Sequence, residues 1–309
     1  MFDQGLEGQS GRIWLASWGS AGLYYSDDAG ETFVAAESSG PPYWTNIFAI
    51  AKGADGTLYA AANNGFLFRS ADAGISWESI TAFPRVSSDG TWSLAAHPSM
   101  PGTLYARLPR NGVIVSVDHG ATWAELGGAE TNDAVVISEA RSRTPAGLTF
   151  DIAFPPGGDS HLFTATGRGI WRLPLRPDGT ASGTWKRLAV SRRSSDGSSI
   201  PVPEIKKFAF ATGVEGFEEQ LSAPVTRLLV GTWGDGAFLT SHPEAGVPEF
   251  ERLALNGTHV RMVTGLSNGG FIVATENGIQ EVTVASASAT SAENEPSTDL
   301  PLGFRLGQN

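Results

Sequence analysis

The stretch Ser70-Ala71-Asp72-Ala73-Gly74-Ile75-Ser76-Trp77 decides the fold, because the chain carries two further copies of the same pattern. We call each copy an octet. A short motif that recurs at an interval of 44 residues (28 to 72) and then 46 residues (72 to 118) predicts a repeat architecture rather than one irregular domain. The other two octets are Ser26-Asp27-Asp28-Ala29-Gly30-Glu31-Thr32-Phe33 and Ser116-Val117-Asp118-His119-Gly120-Ala121-Thr122-Trp123.

Each octet lies between two strand-like runs and has the composition of a tight turn. Its aspartate can accept hydrogen bonds from the turn backbone, and its glycine adopts a positive φ without steric cost. Its hydroxyl side chains can close the same loop. We expect the final aromatic ring to fill the gap between neighbouring sheets, where burial contributes roughly 2–3 kcal/mol. The predicted structural residues are therefore Ser26, Asp28, Gly30, Phe33, Ser70, Asp72, Gly74, Trp77, Ser116, Asp118, Gly120 and Trp123.

The octets resemble the BNR or Asp-box repeat of β-propellers. That family includes sialidases, xyloglucan-cleaving glycosidases, sortilin-type receptors and a photosystem assembly factor. Three complete matches at regular spacing make the resemblance specific for the fold. It implies little about activity, because enzymes, receptors and assembly factors all carry the repeat.

A second repeated element extends the pattern beyond the octets: a strand, a small loop, then a glycine and another strand. With a further strand upstream in five copies, each blade has four antiparallel strands, A to D, with the octet between C and D. This predicts an all-β, six-bladed propeller over residues 1–285, or seven blades if the chain is a fragment. The six copies begin at Ile13, Leu58, Leu104, Leu162, Leu228 and Phe271.

The C-terminal segment has a different composition from the blades. Residues 286–309 are rich in Ser, Ala, Thr and Glu, which predicts a disordered tail or linker. Within it, the run Phe304-Arg305-Leu306 could add an edge strand.

The composition of the chain argues against several classes of partner and cofactor. The net charge of −11 argues against nucleic acid, and no apolar stretch approaches the ~20 residues that cross a bilayer. The chain has no cysteine, and its five histidines lack metal-ligand spacing, so we expect no metal and no cofactor. The oligomeric state is left undecided. The start, Met1-Phe2-Asp3-Gln4-Gly5, has no export-signal pattern, so an extracytoplasmic location is expected only if an N-terminal segment has been lost.

We place the ligand site on the face opposite the octets, where the B–C and D–A loops are free to vary on a rigid scaffold. Two of these loops have similar sequences, Ser17-Trp18-Gly19-Ser20 and Thr232-Trp233-Gly234-Asp235. An exposed tryptophan there suits stacking on a sugar or a partner side chain, and the alternative is that each ring packs over a neighbouring blade. The predicted binding residues are Trp18, Tyr43, Trp44, Trp233, Arg107, Arg168 and Arg261.

One position of strand A carries charge. Aligning the A strands on Ala49 places Asp151 and Arg261 at equivalent positions in blades four and six, together with Ser93 and Ala209. If this position faces the propeller channel, Asp151 and Arg261 form either a functional pair or a structural ion pair.

Two functions fit these features. The first is a non-catalytic recognition or scaffold module that binds a glycan or a protein. The second is a glycoside hydrolase that uses two carboxylates, for which the candidates are Asp89, Asp151, Asp235 and Glu276. The Phe/Tyr-Arg-Ile-Pro motif of the sialidases is missing, since Phe68-Arg69 is followed by Ser70. We therefore predict the binding module.

Overall fold

The protein is built of β-strands. The computed structural model describes residues 12–17, 22–28, 30–36, 46–62, 65–80, 93–108, 112–126, 151–166, 169–193, 196, 198–202, 205–214, 224–245, 247–253, 255, 259–266, 269–283 and 304–305. Over these ranges the chain forms strands and turns but no helix, and hence no helix that could cross a membrane. The described strands form six successive blade sheets and one two-stranded hairpin, all antiparallel, which confirms the predicted all-β, six-bladed propeller.

The first three sheets follow the predicted strand order. In blades two and three the A, B, C and D strands pair in sequence order, and blade one shows the last three of its strands within the described ranges. Blade one contains β1 (Ile13–Ala16), β2 (Leu23–Ser26) and β3 (Val34–Ala35). Blade two contains β4 (Ile47–Lys52), β5 (Leu58–Ala62), β6 (Leu67–Ser70) and β7 (Glu78–Ile80). Blade three contains β8 (Ser93–Ala96), β9 (Leu104–Leu108), β10 (Gly112–Ser116) and β11 (Ala124–Glu125).

The later sheets keep the same order, with one added hairpin between blades four and five. Blade four contains β12 (Ile152–Ala153), β13 (His161–Thr166), β14 (Gly169–Pro174) and β15 (Lys186–Leu188). The hairpin contains β16 (Ser191–Arg193) and β17 (Ser199–Pro201). Blade five contains β18 (Ile205–Val214), β19 (Pro224–Thr232), β20 (Ala237–Thr240) and β21 (Glu251–Arg252). Blade six contains β22 (Val260–Gly265), β23 (Phe271–Thr275), β24 (Gly278–Val282) and β25 (Phe304–Arg305).

The chain divides into two compact units. The first comprises Met1–Thr164 and Arg172–Lys186, and the second comprises Ala165–Trp171 and Arg187–Asn309. Blades one to three belong to the first unit, and the hairpin with blades five and six belongs to the second. The division passes through the strands of blade four.

In the first unit, aromatic residues at the second position of each B strand tie one blade to the next. Trp14 is buried and lies against the octet of blade two. The Tyr59 hydroxyl lies 2.7 Å from Nδ1 of His119, in the octet of blade three. The Tyr105 hydroxyl donates to the Gly179 carbonyl of blade four at 2.6 Å. Burial raises the pKa of Tyr59 to about 12, so these hydroxyls stay protonated and can donate.

The hydrogen bonds of the second octet show why its residue types are needed. The Ser70 hydroxyl accepts from the Gly74 backbone N–H and donates to Oδ1 of Asp72, both at 2.8 Å. Asp72 also accepts from the backbone N–H and the hydroxyl of Ser76, at 2.8 and 2.5 Å. These bonds hold the pKa of Asp72 at about 2, with the Ser76 hydroxyl as the largest cause. The carboxylate therefore accepts three hydrogen bonds within its own turn.

The other two octets repeat this arrangement in separate turns. In the first, the Ser26 hydroxyl donates to Asp28 at 2.6 Å and accepts from the Gly30 N–H at 2.9 Å. In the third, Ser116 donates to Asp118 at 2.8 Å, and the Thr122 N–H donates to the same carboxylate at 2.8 Å.

The aromatic rings of the octets face the preceding blade. Trp77 meets Trp14 of blade one edge to face, with ring centroids 5.7 Å apart, and Trp123 packs on the core cluster shared by blades two and three. The expectation for Phe33 was wrong, since this residue is 43% exposed.

The turn of blade five, which has no complete octet in its sequence, keeps part of the octet structure. Thr240 pairs with Leu228, as Ser70 pairs with Leu58, and it is buried in the same way. The Ala245 N–H donates to the His242 carbonyl at 3.1 Å, the counterpart of the bond from Ile75 to Asp72. A histidine thus occupies the aspartate position, and the turn keeps its backbone shape.

The alignment of the A strands in blades five and six is corrected by the strand register. Ala49 pairs with Ala61, and the equivalent pairs are Lys207 with Gly231 and Met262 with Ala274. The residues at this position are therefore Lys207 and Met262, not Ala209 and Arg261. The A strand of blade two has a bulge at the same point, between Ile47 and Ala49, so the pairing across each bulge, and not the local sequence, fixes this position.

The C-terminal run also joins the fold. Phe304 pairs with Val282, and Arg305 pairs with Glu281, so β25 supplies the D strand of blade six. The gap of more than 20 residues between β24 and β25 hides this pairing from a repeat search.

Candidate functional site

The loop between β19 and β20 presents Trp233 on a closed backbone. The Thr232 N–H and hydroxyl both donate to the Gly236 carbonyl, at 3.0 and 2.7 Å, and the Asp235 N–H donates to the Thr232 hydroxyl at 3.1 Å. Gly234 and Gly236 have φ values of 99° and 81°, which glycine adopts without strain. Because the buried threonine closes this loop, the Trp233 ring is not needed for that purpose.

His259 lies directly before β22 and supports the tryptophan. A backbone bridge joins Trp233 to His259, and the two rings meet nearly perpendicular with centroids 4.5 Å apart. Arg252 braces the same loop by donating from Nε to the Asp235 carbonyl at 3.1 Å. His259 thus contacts Trp233 through both its backbone and its ring, yet Trp233 is 49% exposed.

Glu276, in the loop between β23 and β24, holds His259 in turn. The His259 backbone N–H donates to Oε2 at 2.8 Å, and Nδ1 lies 3.2 Å from Oε1. The backbone N–H of His259 is the largest cause that lowers the pKa of Glu276. The carboxylate is therefore ionised at neutral pH.

These residues form one surface feature, which we call the Trp233 patch: Trp233, Asp235, His259 and Glu276. The side chains of His259 and Glu276 are 35% and 32% exposed. The Trp233 ring and the Glu276 carboxylate both contact the His259 imidazole. The patch can therefore stack against a flat or cationic group and accept hydrogen bonds.

The structure brings together three of the residues chosen from the sequence. Trp233, Asp235 and Glu276 belong to the patch, whereas Asp151 lies in the first unit, directly before β12. Arg107 was expected in a loop, but β9 extends through it and it is 1% exposed. Arg261 is exposed at the bulge of β22. Trp18, Tyr43, Trp44, Arg168 and Asp89 lie outside the described residues.

His259 is the patch residue that sequence reasoning missed. Its spacing was tested only for metal binding, and within the described ranges no group of three or more His, Asp or Glu residues could hold a metal ion. The position of His259 in the sequence could have identified it as a site residue, because a residue just before strand A lies at the same edge of a blade as the B–C loop.

Comparisons with known proteins bear on the fold. No protein-family model matches the sequence, and no curated protein matches it. Among solved structures, the extracellular domain of the putative hybrid two-component system BT4673 from B. thetaiotaomicron has a TM-score of 0.56 at 17% identity. That match covers 98% of this chain but only 32% of BT4673, so the chain spans about a third of it.

Two shorter proteins have a similar fold. YCF48 bound to a D1 peptide has a TM-score of 0.53 at 13% identity, covering 87% of this chain and 72% of YCF48. U3-55K has a TM-score of 0.53 at 12% identity, covering 88% of this chain and 73% of U3-55K. At these identities the likeness concerns the propeller fold alone.

Proposed function

We propose that the protein is a non-catalytic recognition or scaffold module that binds a glycan or a protein at the Trp233 patch. The observation that carries this proposal is the half-exposed Trp233 ring, held on a hydrogen-bonded loop against His259 and Glu276. The patch lies in B–C and D–A loops, at the opposite strand ends from the octet turns.

Rigidity supports a binding role for the patch. A side chain that is already fixed loses little conformational entropy when a ligand arrives, so more of the contact energy appears as affinity. Exposed tryptophans in such settings are frequent anchors of protein interfaces. A peptide ligand is a natural candidate, since one fold neighbour, YCF48, was solved with a D1 peptide.

The octets are proposed to be Asp boxes with a structural role. Their carboxylates accept hydrogen bonds from the same turn, and the glycines of the second and third octets lie against Trp14 and Leu67 of the preceding blade. Side chains committed in this way have little capacity left for a ligand.

The glycoside hydrolase alternative is disfavoured by electrostatics. A general acid in such an enzyme needs a carboxyl group whose pKa is raised. In the described part of the chain, every carboxyl group with a displaced pKa has it lowered. Glu276, which is on the patch, is one of these groups.

Screening a glycan array and an immobilised decapeptide library with the wild type, Trp233→Ala and Ile75→Ala tests the proposal. Ile75 is 70% exposed in the second octet and serves as a matched surface control. We expect ligands that bind the wild type and Ile75→Ala and lose at least about tenfold in affinity with Trp233→Ala. Ligands that bind all three proteins equally would contradict the assignment of the site.

A separate assay addresses catalysis. The wild type, Asp235→Asn and Glu276→Gln are incubated with aryl glycosides and polysaccharides, and released sugar is measured. We expect no turnover by any of the three proteins. Turnover that either substitution abolishes would replace the binding module with the glycosidase.

A further inference from the structure

We infer that His97 is the centre of a pH-sensitive contact between blades three and four: the neutral imidazole holds the two blades together, and its protonation releases them. We call this contact the His97 clasp, formed by His97, Ser99, Tyr105, Phe154 and Asp159. His97 directly follows β8 and begins the A–B loop of blade three. It is 2% exposed, and its backbone N–H donates to the Thr103 carbonyl at 2.9 Å. The clasp lies within the first unit and does not depend on the Trp233 patch.

The His97 imidazole packs against two aromatic rings, one from each blade. Its centroid lies 6.3 Å from that of Tyr105, on β9, and 5.2 Å from that of Phe154, which directly follows β12 of blade four. The rings of Tyr105 and Phe154 also meet each other, with centroids 5.4 Å apart. A neutral imidazole suits this apolar setting, whereas a charged imidazole loses its hydration there.

Ser99 connects the imidazole to a carboxylate of blade four. Its backbone N–H donates to Nδ1 of His97 at 3.3 Å, and its hydroxyl donates to Oδ2 of Asp159 at 2.7 Å. Because Nδ1 accepts this bond, the neutral imidazole carries its proton on Nε2. Nε2 is buried and meets no hydrogen-bond partner among the described residues. The surroundings of His97 therefore favour its neutral form.

Protonation of His97 makes both ring nitrogens donors, which conflicts with the contacts of the neutral ring. The Ser99 N–H would then face a second donor at Nδ1. The Ser99 hydroxyl oxygen, 3.4 Å from Nδ1, can accept from the charged ring while it donates to Asp159. The imidazolium is thus drawn toward Asp159 and away from the rings of Tyr105 and Phe154.

Burial and one nearby charge act on the titration of His97 in opposite directions. Burial is the larger effect and lowers the pKa of His97, while the Asp159 carboxylate raises it. Burial also raises the pKa of Tyr105, so this residue stays neutral. The other titratable or charged side chains on the segments around the clasp are His119, His161, Arg176 and Asp178. Since the pKa of His97 is lowered from 6.5, its contribution to stability is present above pH 6.5 and is lost as the pH falls.

Hydrogen exchange measured by mass spectrometry at pH 7.5 and pH 5.5, corrected for intrinsic rates, tests the clasp. In the wild type we expect exchange in segments 97–105 and 152–160 to accelerate in acid by up to about tenfold, the limit that an ordinary histidine pKa in the open state allows at pH 5.5. His97→Asn should show no acceleration, because its side-chain oxygen can accept from the Ser99 N–H and does not titrate. His242→Asn, at an exposed position of blade five, is the control and should behave as the wild type. Unchanged exchange in the wild type, or equal acceleration in His97→Asn, would overturn the inference.

An NMR titration of the histidine rings tests the same inference in the wild type, whether or not His97→Asn folds. We expect the midpoint of His97 to lie below 6.5, and Asp159→Asn to lower it further, because the carboxylate favours the charged ring. Glu125→Gln removes an exposed charge on β11 of blade three and should leave the midpoint unchanged. A wild-type midpoint at or above 6.5, or equal midpoints in the wild type and Asp159→Asn, would overturn the clasp.

Discussion

The second octet and the Trp233 loop are turns of similar size that use their side chains in opposite ways. In the octet, Asp72 accepts three hydrogen bonds from its own turn, and Trp77 packs on the preceding blade. In the other loop, the buried Thr232 closes the backbone, so Trp233 stays half-exposed. A turn whose side chains satisfy its own backbone serves as scaffold, whereas a turn closed by a buried threonine can present an aromatic ring at the surface.

The largest expected difference between the two regions is at their tryptophans. Trp14 is 1% exposed between blades one and two, so Trp14→Ala should lower the free energy of unfolding by about 3–5 kcal/mol. Trp233→Ala should lower it by less than about 1 kcal/mol, because the ring is half-exposed. Urea denaturation followed by far-UV circular dichroism measures both. Equal losses would mean that Trp233 is a packing residue.

Gly74 and Gly234 allow backbone strain alone to be compared with backbone strain plus a steric clash. Gly74 and Gly234 both have positive φ, 85° and 99°, so alanine costs roughly 1–2 kcal/mol of strain at either position. At Gly74 the added Cβ would also lie 2.1 Å from Cζ2 of Trp14, whereas at Gly234 it meets open space. We expect Gly74→Ala to lower the unfolding free energy clearly more than Gly234→Ala. The reverse order would contradict the tie between blades one and two.

The octet serine should show a smaller effect. Ser70→Ala leaves the buried Gly74 N–H without its acceptor, which should cost about 1–3 kcal/mol of unfolding free energy. Ser79→Ala, at an exposed position of β7, is the control and should change it by less than about 0.5 kcal/mol. Thermal unfolding of the two variants provides the measurement, and indistinguishable curves would exclude a structural role for the serine hydroxyl.

The smallest expected effect is an acid dependence that arises in the octets. Hydrogen bonds hold the pKa values of Asp28 and Asp72 at about 2, below the ordinary 3.8. Groups with a lowered folded-state pKa contribute stability that is present above pH 3.8 and is lost as the pH falls toward 2. We expect the Asp72→Asn variant to lose less stability than the wild type between pH 4 and pH 2. Parallel pH curves for the two proteins would contradict this.

Local sequence predicted the fold well because each octet makes its own hydrogen bonds within eight residues. Sequence failed where the structure depends on pairing between distant segments. The bulge beside Arg261 and the pairing of Phe304 with Val282 leave no local signature.

The candidate site was only partly predictable. Trp233 and Glu276 could be chosen from their loops, because loop position follows from strand order. Their meeting at His259 depends on the packing of blade six beside blade five, which no spacing rule gives. Arg107 was misplaced because β9 runs further than its repeat pattern indicated.

Hydrogen exchange measured by mass spectrometry, with and without the ligand found in the screens, tests the central claim most directly. The account predicts slower exchange in segments 232–236 and 259–276 when the ligand binds, and unchanged exchange across the octet at 70–77. Protection of the octet with no change at 232–236 would contradict it.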